Sequence, residues 1–121
     1  MSYVYSQSTG QLTENGQYIG TGYAGFGEGK NDPDFQMVAD VGPLPQGGYT
    51  MSEPYTDPVD GPLCFKLTPD PSNEMFGRSG FRIHADSISH PGEASKGCCV
   101  FQHDVRLRIA LSTDRQLVVV S

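Results

Sequence analysis

The residues best suited to chemistry lie between Arg78 and Phe101. There His84 precedes Cys98 by fourteen positions, and Cys98 closes the tetrapeptide Ser95-Lys96-Gly97-Cys98. A cysteine becomes nucleophilic when a base or a positive neighbour lets its thiolate form. His84 can serve as that base, with His90 a distant second and His103 read as a surface residue. Lys96 lies two residues before the thiol. Gly97 lets the backbone approach a substrate closely, and local N–H groups there could hold an oxyanion. Ser95 and Lys96 are candidate substrate contacts. Arg78 is the candidate for gripping a substrate carboxylate, because a guanidinium can do so with two parallel hydrogen bonds. Arg82 reads as a solvated charge or ion-pair member.

The three cysteines, Cys64, Cys98 and Cys99, form no paired-thiol motif. A zinc site drawn from His84, His90, Cys98, Cys99 and His103 is disfavoured, because adjacent cysteines seldom reach one ion and the usual spacings are missing. No metal or cofactor is therefore expected. In an extended segment Cys99 faces away from Cys98, which makes Cys99 a core residue. Cys64, between Leu63 and Phe65, reads as core too, and its pairing with Cys99 in an oxidising compartment is left open.

These groups need strands to hold them. Tyr3-Val4-Tyr5 alternates with polar residues, and Asn15-Gly16 is a strong two-residue hairpin signal leading into a strand at 17–19. The glycine-rich 20–29 segment reads as a surface loop or the lining of a cleft. Strands are expected at 49–51, 63–67, 81–84 and 116–120, with a loop over 68–78. Residues 104–111 fit either a strand or a short helix capped by Asp104. The sum is a mainly β domain spanning 1–121 with one or two short helices.

Composition agrees. The 121 residues include 15 Gly and 9 Pro, which favours turns and short strands over a helical bundle. The net charge is −6, with eight acids against Lys30 alone over residues 1–65 and seven Lys/Arg against six acids beyond. Such a chain suits no nucleic acid, and the more basic second half is the better place for a small anionic substrate. No run is apolar enough to insert in a membrane, and the first residues lack the pattern of an export signal.

The segment from His84 to Cys98 resembles the catalytic motif of the L,D-transpeptidases: a histidine ending a strand, then Ser/Thr-x-Gly-Cys. Ala85 stands where glycine commonly follows the histidine, and Val100 replaces a frequent arginine. The likeness extends to Ser8-Thr9-Gly10, Gly22-Tyr23-Ala24-Gly25, Gly42-Pro43-Leu44-Pro45 and Phe76-Gly77-Arg78-Ser79-Gly80-Phe81. Together these resemble the small L,D-transpeptidase effector domains carried by type VI secretion systems, which act as antibacterial toxins.

That resemblance implies a β-sandwich or barrel that acts on peptidoglycan stem peptides in the periplasm of a target bacterium. Cys98 would attack the diaminopimelate carbonyl at its bond to terminal D-Ala, and His84 would move the proton. The Ala85 carbonyl would orient the imidazole, and N–H groups near Gly97 and Cys98 would hold the oxyanion. The resemblance also implies a secretion carrier and a periplasmic immunity protein. The alternative is a non-catalytic wall-binding module with the same fold.

Overall fold

The computed structural model describes residues 2–121. Its strands are β1 (Tyr3–Ser6), β2 (Gln11–Glu14), β3 (Gln17–Thr21), β4 (Gly47–Met51), β5 (Tyr55–Asp57), β6 (Gly61–Pro69), β7 (Arg82–His84), β8 (Cys99–Val100) and β9 (Gln116–Val120), with one α-helix, α1 (His103–Leu111). They join in the order β3-β2-β1-β9-β4-β6-β7-β8, with β5 also on β6. The sheet curls into a half-barrel. Pairing is antiparallel except for β1 with β9 and β7 with β8. The mainly β class expected from the sequence is what is observed.

Turn chemistry explains the N-terminal ribbon. Asn15 and Gly16 both have positive φ, 52° and 81°. That is the geometry a two-residue hairpin needs to match strand twist, and Glu14 pairs with Gln17 across it. Along β9, Leu117 and Val119 are buried while Gln116, Val118 and Val120 are exposed. One face of the sheet therefore carries the core. Tyr3, Tyr5, Leu12, Tyr49, Phe65, Ile83, Cys99, Phe101 and Ile109 meet there, with Tyr5 and Phe101 packed edge to face at 5.8 Å.

The ambiguous 104–111 segment is helical. Val105 and Ile109, one turn apart, are buried, whereas Leu107 and Leu111 face solvent; the 3.6-residue period prevails over the two-residue one. The expected cap is corrected: Gln102 occupies that position without a side-chain hydrogen bond, and Asp104 lies inside the first turn. No helix is long and apolar enough to cross a membrane among the described residues.

Candidate active site

The parallel pair β7–β8 aligns the reactive groups. Ile83 pairs with Cys99 and His84 with Val100. Ile83 and Cys99 both point into the core, fully buried. Alternation then turns Arg82 and His84 to the opposite face of β7, and places Cys98 beside them. The Arg82 peptide N–H donates to Cys98 Sγ at 3.3 Å. Cys98, His84, Arg82, Lys96, Asp57 and Asp60 line one cavity of about 440 Å³.

His84 is 3% exposed, and its Nδ1 lies 2.8 Å from the Ala85 carbonyl oxygen. A carbonyl can only accept, so Nδ1 carries a hydrogen, and in the neutral tautomer this leaves Nε2 as the acceptor. Asp60 Oδ1 stands 3.9 Å from the same Nδ1.

The loop before Cys98 is built around Ser95, which is 1% exposed. Its hydroxyl accepts from the N–H groups of Gly25 and Gly97 at 2.9 and 3.0 Å, and donates to the Cys98 carbonyl at 2.6 Å. Ser95 is thus a buried strut, which corrects its reading as a substrate contact. Gly97 is also reassigned, because its N–H is committed to Ser95 and is not free for an oxyanion. Among the described residues the Cys98 N–H has no acceptor. Gly97 is needed for space: at φ +136° an added Cβ would lie 2.6 Å from Arg78 Nη2 and 2.7 Å from the Phe81 ring.

Arg78 is corrected likewise. Its Nη1 donates to the carbonyls of Gln36 and Pro43 at 2.6 and 2.7 Å, and its Nη2 to those of Gly42 and Lys96 at 3.0 and 3.2 Å. Four committed N–H bonds make Arg78 a clamp between loops, with no terminal N–H left for a substrate carboxylate. Lys96 remains exposed at the cavity rim. His90 lies on the surface beside Ser89, outside the cavity that holds Cys98, and His103 is exposed.

Burial pushes the Cys98 thiol above its ordinary value, although the Arg82 N–H and guanidinium pull the other way. At neutral pH the Cys98 side chain is therefore a thiol, on the same cavity wall as the His84 imidazole. Burial alone would lower the Arg82 guanidinium, but the Tyr55 hydroxyl, Asp60 and Cys98 more than offset that and raise it. Arg82 reaches Asp60 at 2.8 Å and Asp57 at 3.4 Å. Asp57 is held below the usual carboxylate range by the N–H groups of Asp60 and Val59. This acidic hairpin tip was not singled out from the sequence. Its turn signal is visible, but its meeting with Arg82 depends on the register of β6 with β7.

All three thiols are free. Cys99 belongs to the core cluster, whereas Cys64 is buried on the other face of β6 and bonds to the Gly61 carbonyl. Among the described residues no three His, Cys, Asp or Glu side chains gather to hold a metal ion.

The family model of the Tlde1 domain matches residues 19–121. The chain belongs to the Tlde1 domain family. This is the family of type VI secretion effectors of the L,D-transpeptidase type, and the matched span includes both His84 and Cys98. A search of curated proteins finds no match to the chain. β1, β2 and the first two residues of β3 precede the matched region.

Proposed function

We propose that residues 1–121 act as one catalytic domain, a cysteine L,D-carboxypeptidase and transpeptidase of peptidoglycan tetrapeptide stems. The observation that carries this is the His84 imidazole, held by the Ala85 carbonyl with Nε2 free, in one cavity with the partly exposed Cys98 thiol. His84 Nε2 takes the thiol proton as Sγ attacks the diaminopimelate carbonyl, and the oxyanion forms at the Cys98 N–H. The imidazolium returns that proton to the leaving amine, D-Ala departs, and a thioester remains. Water or the amine of a D-amino acid then resolves the thioester, with His84 again removing the proton. Lys96 at the rim attracts the anionic stem. Either outcome depletes the stems that wall crosslinking requires.

Incubation with purified tetrapeptide muropeptides tests this. D-Ala release or D-amino-acid exchange is expected from the native protein and not from Cys98→Ala or His84→Ala. Binding without any mass change would instead establish the non-catalytic module. Delivered by a type VI carrier, the enzyme works in the target periplasm, where an immunity protein would neutralise it. Expression in a Gram-negative host should therefore harm cells only when an export signal is fused. Equal toxicity from the cytoplasm would remove the wall as target.

A further inference from the structure

Arg106 is a buried cation without a counter-ion. It is 6% exposed on the inner face of α1. Its Nε donates to the Phe101 carbonyl at 3.0 Å and its Nη1 to the Pro62 carbonyl at 2.9 Å. Among the described residues no carboxylate lies within ion-pair distance of it, and Nη2 donates to nothing. Nη2 is also not one of the atoms sealed away from solvent. Burial lowers the guanidinium from its ordinary value, yet arginine stays charged. A mostly buried charge with no counter-ion is costly, and binding sites are where such groups are often retained.

The place it lines gives it a role. Arg106 borders a cavity of about 910 Å³, which shares Val59, Asp60 and Ala94 on its wall with the Cys98 cavity. The acids on its wall are otherwise occupied or outward. Asp60 holds Arg82, Asp86 accepts from Tyr23, Ser87 and Gly92, and Glu93 is exposed. Ala85, the residue after His84, lines this larger cavity, while His84 and Cys98 themselves line the smaller one, so the larger cavity lies on the Ala85 side of the pair. A base that protonates a leaving amine, and later deprotonates an incoming one, must have that amine on its own side. Both amines belong to amino acids whose carboxylate is one carbon away.

We infer that Arg106 Nη2 binds the α-carboxylate of the amino acid that leaves or enters on the His84 side, while Val59, Ile88 and Phe26 flank its side chain. This rests on the proposed enzymatic reading.

The test measures calorimetric binding of tetrapeptide stems ending in D-Ala or in D-alaninamide to the Cys98→Ala protein. The acid should bind roughly 10- to 100-fold tighter. Arg106→Gln should erase that preference and Arg106→Lys should keep part of it, with thermal melts confirming that each variant folds. Equal binding of acid and amide by Cys98→Ala overturns the inference without any change at Arg106, and so does a preference that survives in Arg106→Gln. With the native enzyme, exchange using a D-amino acid should exceed exchange using its amide, which distinguishes the entering carboxylate from the leaving one. Turnover without acid preference in either arm sinks the Arg106 assignment and leaves the enzyme standing. Acid-selective binding by a native protein that never releases D-Ala does the reverse.

Discussion

The adjacent thiols at 98 and 99 illustrate how one residue of register separates reactivity from packing. Cys98→Ala removes a small side chain from a partly open site, so it should lower D-Ala release by at least about a thousandfold with little change in melting temperature. Cys99→Ala should keep activity and lose about 1 kcal/mol, read from denaturant melts. Burial raises the Cys98 thiol, so alkylation of the native protein should accelerate with pH past the ordinary thiol value of 9.0. A rate that levels off below pH 8 would mean a preformed thiolate, and with it a different resting state. The burial of Cys99 was legible in the sequence because strand alternation is local. Arg106 was not, since its lack of a counter-ion is a property of everything packed around α1.

At the level of elements, the loop from Ser95 to Cys98 is held by hydrogen bonds that arrive from far along the chain. Gly25, Leu44 and Arg78 all bond to it. Ser95→Ala should cost about 1–3 kcal/mol, because the Gly25 and Gly97 N–H groups lose a buried acceptor. It should also lower activity by freeing the Cys98 backbone; a variant with native stability and turnover would refute the strut. The strands themselves were readable from alternation and turn residues, as with Asn15-Gly16 and the final Gln116–Val120 strand. Ser95 and Arg78 were misread for a physical reason. A hydroxyl or guanidinium near a nucleophile has the same sequence signature whether it meets substrate or main-chain carbonyls. The helix was ambiguous because Val105, Leu107, Ile109 and Leu111 satisfy both periods until the sheet decides which pair it buries.

Across the whole molecule, buried phenols make the fold sensitive to alkali. Burial raises Tyr5, Tyr49 and Cys99 above their ordinary values, so the folded state keeps protons that an unfolded chain would lose. The stability they contribute is complete below about pH 9 and falls as pH rises beyond the unfolded-state values. Melts at pH 8 and pH 10.5 should show it, and an unchanged midpoint would contradict it. Tyr5 adds a second expectation, since its buried hydroxyl has no partner among the described residues. Tyr5→Phe should leave stability unchanged or raise it by up to about 1 kcal/mol. The arrangement of β9 between β1 and β4 reaches further still. Residues 116–120 are the seam joining the N-terminal ribbon to the strands that hold the proposed active site, so neither half can finish its sheet before they emerge from the ribosome. Assembly therefore runs against the direction of synthesis, and a nascent chain that stops short of Gln116 should stay protease-sensitive and inert until a separate peptide of that strand is added to zip the two halves together.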